Sequence, residues 1–424
     1  MRRGLALCLA CWGGACGAGA REHIALLCRA DDSTAQLEDH LLGPYRARHP
    51  GLLVVQQNVS GSRSDYRRYR AAALARDPPP DAFLVDDADV PAFAGSRGAL
   101  DLAPYLSRVG VDLARYDPTV LGIFRRGDAV YALPRGYTPL VVVYNRDLFD
   151  RSAISYPGDD WTWDDFLRIA KRLTRDSDGD GRNDVWGAAF DARPAFWLPW
   201  IWSGGGDILC SDGRRASGCL DAPSTIAALR WYAGWVTRER VAPRAQDPRE
   251  EDGDNARLFA AGRVAMMTVS HAAVPDLQAA ARRGLHIGFV AIPHRAGNAP
   301  VTVLYATGYA VPGRILGRKA AVELVADLTD SVAGAGRGEA GIELPAVTSA
   351  AQALAVADTL GWETAFLRAA ARGRPAWRMR VAQWRDVEAA LSALMDRIAL
   401  DGADPGRAAR ATARELDRVL GATR

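Results

Sequence analysis

His23-Ile24-Ala25-Leu26-Leu27-Cys28, Leu52-Leu53-Val54-Val55 and Ala82-Phe83-Leu84-Val85 are three short apolar runs set apart by two longer polar stretches. Each run has strand length. In the first gap Ser33 is followed three residues later by Gln36, a capping-box pattern that predicts a helix running to about Arg48. His49-Pro50-Gly51 stops it. In the second gap Ser64 to Arg76 reads as a helix, ended by Pro78-Pro79-Pro80. The order β-α-β-α-β predicts an α/β fold, a parallel sheet with helices on its faces.

Upstream of this unit lies a targeting segment. Arg2 and Arg3 give a positive start, and Gly4 to Ala15 is apolar but too short to span a bilayer as a helix. Gly13, Gly14 and Ala15 lead into Cys16, the pattern of a bacterial lipoprotein signal over residues 1–16, with Cys16 lipidated. Such signals usually carry Leu at the position of Gly13. Cys11 is a second candidate, and plain secretion with cleavage near Ala18 or Ala20 is the alternative. Export to the periplasm or the outer face of the cell membrane is expected.

The chain's 424 residues exceed what one core supports, so two lobes are expected. The net charge of +3 is small and gives no electrostatic case for nucleic acid. Thr162 with Asp165 predicts a helix Trp163–Leu173, and Pro223 opens another through Trp235. Val264–Val269 and Ile287–Ile292 read as strands, and Lys319–Thr329 as a helix. From Thr348 on the pattern is helical throughout. No low-complexity linker separates two halves, so the chain should cross between lobes several times. Cys28 reads as a buried thiol. Cys210 and Cys219 flank an Asp212-Gly213 hairpin signal, and in an exported chain a disulfide is favoured over a zinc site.

Four stretches, in order, resemble family 1 of the extracellular solute-binding proteins, whose best-known relatives bind maltose and other sugars. They are Tyr131-Ala-Leu-Pro134 leading to Val143-Tyr144-Asn145-Arg146-Asp147-Leu148-Phe149; Trp161-Thr162-Trp163-Asp164-Asp165-Phe166 with the acidic run from Asp176 to Asp184 and Trp186-Gly187; Phe259-Ala-Ala-Gly262-Arg-Val-Ala265-Met266; and Thr307-Gly308-Tyr309-Ala310-Val311-Pro312. The resemblance implies a two-lobed periplasmic-binding-protein fold, type II-like, with hinge crossings near Arg135–Pro139, Val301–Ala306 and Ala333–Pro345. Lobe one would hold 22–136 plus 302–340, and lobe two 137–301 plus 341–424. It implies a monomer that closes over a small polar ligand, a mono- or oligosaccharide, and then docks on ABC permease subunits. No cofactor is required beyond a possible structural calcium.

The same resemblance singles out site residues. Asp31 and Asp32 follow the first strand and either bind hydroxyls or charge the next helix N-terminus. Asp86 and Asp87 follow the third, as ligand contacts or a solvated turn. Tyr137 and Thr138 fall on the first crossing, where relatives can carry an acid instead of Thr138. The run from Arg193 to Gly206 holds Phe196, Trp197, Trp200 and Trp202; Trp197, with Arg193 and Phe196, is the expected stacking platform, and Gly205 allows close backbone approach or a turn. His271 stands beside Ala272, which occupies a tryptophan position of relatives. Tyr305 and Thr307 lie on the second crossing. Trp377 and Trp384 are late aromatics that either stack on ligand or fill core. Asp176, Asp178, Asp180 and Asp184 follow calcium-loop spacing with Gly181 at the turn, but Gly187 replaces the expected Glu, leaving an acidic turn as the alternative. The rival functions are a secreted carbohydrate-active enzyme working through paired carboxylates, and a ligand-presenting subunit of a sensor. No nucleophile elbow or His-Glu-x-x-His motif supports the enzyme.

Overall fold

The structure is a computed structural model that describes residues 23–94, 96, 98–244, 255–315 and 318–421. Cys16 and Cys11 lie outside them. The strands are β1 (His23–Arg29), β2 (Leu53–Val59), β3 (Ala82–Asp86), β4 (Arg125–Arg126), β5 (Ala129–Val130), β6 (Leu133–Asn145), β7 (Met266–Ser270), β8 (Ile287–Val290), β9 (Thr302–Ala310), β10 (Leu344–Pro345) and β11 (Gly373–Pro375).

The three apolar runs form a parallel set, with Ile24 opposite Val54 and Leu26 opposite Ala82. Every residue of β3 is buried, as befits a central strand covered on both faces. The helix after β1 is Asp32–Leu41, two residues longer at its start than a Ser33 cap predicts. Asp31 is the true cap: its Oδ1 accepts from the Thr34 amide at 2.8 Å, and Ser33 only donates to it. Gly43–Arg48 is a separate helix. The next helix, Arg63–Leu74, is capped by Ser62 and Asp65 in a reciprocal box.

β6 has 13 residues, about twice the usual strand length. Its first half, Leu133–Pro139, runs antiparallel to β9; from Leu140 it pairs with β7 and β8 instead. β9 makes the same passage, pairing with β3 through Thr307–Ala310 and with β11 through Thr302–Leu304. Two α/β lobes thus share two continuous strands. Side-chain alternation along β6 sends Val141 and Val143 to one apolar cluster and Leu140, Val142 and Tyr144 to the other.

The third passage involves the end of the expected crossing Ala333–Pro345. Leu344 and Pro345 pair with Tyr137 and Gly136 of β6, and Ala346 accepts from the Asp117 amide, so lobe one extends past residue 340. β11 also interrupts the expected all-helical end. Its backbone pairs with β9 because Gly373 lets the two approach; a Cβ there would sit 2.4 Å from the Leu304 side chain. Cys210 and Cys219 form a disulfide with Cα atoms 5.4 Å apart. The residues between them form a turn, with Gly213 at φ +67°, and no strands. Cys28 is a buried free thiol; burial, with Glu38 nearby, pushes it up to about 12.

Candidate functional site

Where β6 and β9 pass between lobes they leave a cavity of about 670 Å³, within the range of small-molecule sites. Its first-lobe wall is built around the C-terminal end of β1: Arg29 as its last residue, Ala30 just after it, Asp31 at the helix cap, and Arg63 at the start of its helix. Its floor is the crossing strands, with Arg135 and Thr138 from β6 and Tyr305 and Thr307 from β9. Ser270, Ala272 and Asp276 come from the second lobe, and Glu343 and Arg378 from the late segments. Open α/β sheets bind ligands at such strand ends.

The floor rests on a buried ion network. Arg135 Nε donates to Glu343 Oε1 at 2.6 Å, and Thr307 Oγ1 donates to Glu343 Oε2 at 2.6 Å. Gly136 is required beside them, since a Cβ would meet the Glu343 side chain at 2.4 Å. One layer deeper, Arg337 donates through Nε and Nη2 to the two oxygens of Glu38, both at 2.7 Å, and Tyr309 adds a third bond at 3.0 Å. Burial alone would raise the Glu38 carboxyl; Arg337 and then Arg135 overcome it and hold it at about 2.

Asp86 and Asp87 do not reach the ligand space. Both are buried. Asp87 Oδ1 takes Arg378 Nη2 at 2.5 Å and Asp86 lies 3.8 Å from Arg67, so the acids anchor arginines where the sequence suggested hydroxyl contacts. Burial raises the Asp87 carboxyl despite Arg378. Arg378 also lies 4.2 Å over the Tyr305 ring, and Tyr305 donates to the Ala195 carbonyl.

Of the other expected residues, Asp31, Thr138, Tyr305 and Thr307 line the cavity. Asp32 is exposed on the helix beyond it, and Tyr137 is buried against the Ala306 and Leu344 partners of β6. Arg193 and Phe196, stacked at 4.3 Å, line a neighbouring pocket of about 440 Å³ that shares Ser270 with the main one. Trp197 is fully buried, its Nε1 donating to the Ala192 carbonyl, so it is core and no stacking platform. Its helix, Pro194–Ser203, is apolar almost all round and therefore an interior one. Gly205 adopts φ +80° beside Asn298 as a turn residue away from the cavity. His271 is fully buried, with Nε2 2.6 Å from Glu363 Oε2 and its ring edge-on to Phe366. Trp377 donates to Asp207 at 2.6 Å and packs by Gly213, and Trp384 is buried in the second core. Both are core.

The charged lining residues that the sequence reading did not flag are Arg29, Arg63, Asp276, Glu343 and Arg378. Arg29 carried the one available signal, a cation at the end of an apolar strand.

In the acidic loop, Asp176, Asp178 and Asp184 bring carboxylate oxygens within 4.8 Å of one another; Asp180 stands outside the group. The Gly179 and Gly181 amides each donate to Asp176 at 2.8 Å. Three convergent carboxylates suit a hard cation in part, short of the six or more oxygens calcium takes.

Comparison with known proteins accords with this architecture. UgpB from Mycobacterium tuberculosis, solved with glycerophosphocholine, superposes with a TM-score of 0.81 at 23% identity, covering 96% of this chain and 99% of that one. An ABC substrate-binding protein from Listeria monocytogenes, solved with cycloalternan, gives 0.80 at 20% identity over 95% and 99%. At these identities the likeness is one of fold: two lobes around a hinge. In sequence, the chain is 22% identical over 241 residues to the sn-glycerol-3-phosphate-binding periplasmic protein UgpB of Rhizobium meliloti (strain 1021). That match covers 54% of this chain and about half, 52%, of the relative's length. The family described as bacterial extracellular solute-binding protein matches residues 30–326, most of the chain, and the chain belongs to that family.

Proposed function

We propose that the protein is the solute-capturing component of a bacterial ABC importer, exported and held at the membrane through Cys16. The observation that carries the reading is the cavity at the two strand crossings, whose lining comes from both lobes and from the hinge. A ligand there touches both walls only when the lobes are closed, so binding shifts the population toward closure by its differential affinity. The solute is small, polar and rich in hydroxyls, as are the sugar and glycerol-phosphate ligands named for the relatives. Thr138, Ser270, Thr307, Asp31 and Asp276 offer the donors and acceptors such a solute needs. A structural calcium at Asp176, Asp178 and Asp184 belongs to the same proposal.

Small-angle scattering with and without ligand tests the central step, after a thermal-shift screen of sugars, polyols and their esters. Compaction on binding, with the ligand recovered intact, is the expected result. A bound ligand that leaves the radius of gyration unchanged, or that is cleaved, contradicts it. For the anchor, Cys16→Ser should release the protein from the membrane fraction; release by Cys11→Ser alone would move the anchor to that cysteine.

A further inference from the structure

The acids behind the first-lobe wall are outnumbered. Asp86 at the end of β3 and Asp87 and Asp89 in the turn after it are buried. Asp89 takes Arg70 at 2.6 Å and Arg67 at 3.6 Å, and Asp87 takes Arg378 at 2.5 Å. Burial would raise the Asp86 carboxyl, yet Arg63, Arg378, Arg67 and Arg29 together hold it below the usual range. Five guanidinium groups therefore share three carboxylates. The surplus falls on Arg29 and Arg63, whose side chains form no hydrogen bond or close ion pair among the described residues, and both line the cavity.

Their neighbours do not cancel that charge. Arg29 is half-buried; burial weakens its hold on a proton, Arg63 and Arg135 push the same way, and Asp86 opposes them. Of the carboxylates on the lining, Asp31 is bound into its helix cap and Glu343 is tied to Arg135 and Thr307. Asp276, on the second-lobe side, is the remaining one. The lining also offers little for a bare sugar face. Its one aromatic side chain among the described residues is Tyr305, whose ring lies under Arg378.

We infer that the ligand carries an oxyanion, a phosphate ester or a carboxylate, held against the first lobe by Arg29 and Arg63. The inference rests on the solute-capture reading and names the ligand's charge. Guanidinium groups suit planar, bidentate contact with such anions. An anion also relieves the repulsion between two cations facing one cavity, which a neutral hydroxyl cannot do.

Matched pairs test it on the intact protein by calorimetry: glycerol against glycerol 3-phosphate, glucose against glucose 6-phosphate, and glucose against gluconate. The anionic member of at least one pair should bind about 10–100-fold more tightly, the range of charge-assisted hydrogen bonds, and the advantage should shrink with salt. The phosphate and gluconate arms separate the two oxyanions. Arg29→Gln and Arg63→Gln should each weaken that binding about 10-fold or more. The unliganded melting temperature should hold or rise in both, which excludes misfolding as the cause. Equal binding of neutral and anionic members with compaction intact overturns the charge assignment and leaves solute capture standing. Tight anion binding that survives the double variant overturns the residue assignment. Failure of every pair to bind overturns the oxyanion inference; capture itself then falls only if the wider scattering screen also finds no compaction.

Discussion

The two lobes bury different chemistry. Behind the cavity, the first lobe holds ions: Glu38 and Arg337 are essentially unexposed, as are Asp87 and its neighbours. The second lobe holds rings. Phe166 and Trp235 lie 4.5 Å apart, Trp200 and Trp235 4.7 Å, and Trp163 and Trp231 are stacked at 4.1 Å. Both are ways of fixing a wall. The rings do it by shape and area, with little directional demand. The ions do it by geometry, because each guanidinium must meet its carboxylate or leave a buried charge uncompensated. The lesson is that a dense aromatic run in a two-lobed protein need not mark the ligand side. Here the charged lobe faces the ligand space more fully, and the aromatic lobe supplies the rigid body that closes on it.

Deleting a ring from the second core should give the largest effect. Trp200→Ala should cost about 3–5 kcal/mol, a lost transfer term plus a cavity, read by urea unfolding. Trp197→Ala should fall in the same range and leave ligand affinity unchanged under conditions where it remains folded. A marked affinity loss with little loss of stability would return Trp197 to the site and erase the contrast between lobes. On the ionic side, Arg337→Ala should cost about 3–5 kcal/mol because it strands buried Glu38. Replacing Glu38 and Arg337 together by Leu and Met should cost much less, since no charge is then left alone, whereas no double variant rescues Trp200→Ala by the same logic.

Acid offers a second way to separate the lobes. Glu38 has its carboxyl depressed to about 2 in the folded protein, below its ordinary 4.5. A depressed carboxylate contributes stability that is complete above 4.5 and is lost as pH falls from there toward 2. The loss from this group is on the order of 3 kcal/mol. Unfolding free energy measured from pH 6 to 3 should fall in the native protein and fall less in the Leu–Met double variant. Equal slopes would mean that Glu38 is not the group being titrated. The disulfide gives a smaller effect of a different origin. Reducing Cys210–Cys219 reopens a loop of sequence separation 9, worth roughly 2.5–3 kcal/mol on the chain-entropy estimate.

The frame of the fold was readable because it depends on patterns the sequence states locally. Apolar runs punctuated by caps and prolines gave the parallel unit from His23 to Asp86, and Trp163–Leu173 matched its capping box at both ends. The site was harder to read because its ion partners are distant along the chain. Glu38 meets Arg337 299 residues away and Arg135 meets Glu343 208 residues away. Nothing local in Glu38 distinguishes it from a solvated helix residue. The aromatic residues failed for the opposite reason: Trp197, Trp377 and Trp384 have the chemistry of a sugar platform and of a core alike, and only burial separates the two. Asp86 and Asp87 stand at the end of β3 and just after it, where the sequence reading expected ligand contacts or a solvated turn. What the sequence could not show is that they face inward, toward arginines.

The smallest effect concerns the acidic loop, which belongs to the second lobe alone. It leaves the end of the Trp163–Leu173 helix and returns at Trp186, where Val185 bonds back to Arg175. Asp176, Asp178 and Asp184 already share their oxygens within 4.8 Å, with glycine amides and the Ser177 amide holding them in place. A cation there would offset the mutual repulsion of three carboxylates, two exposed and one half-buried, without reordering any core. At a free concentration about tenfold above its dissociation constant it would add about 1.4 kcal/mol by mass action, so chelation should lower the melting temperature by a few degrees at most. The change should appear in tryptophan fluorescence, which reports the second core, and not in affinity for the cleft ligand, whose walls lie elsewhere. Asp176→Asn with Asp184→Asn should abolish the chelator effect, whereas Asp180→Asn, outside the carboxylate group, should leave most of it. A melting temperature indifferent to chelator, with no metal in elemental analysis of the purified protein, would show the loop to be an acidic turn that its own amides are sufficient to hold.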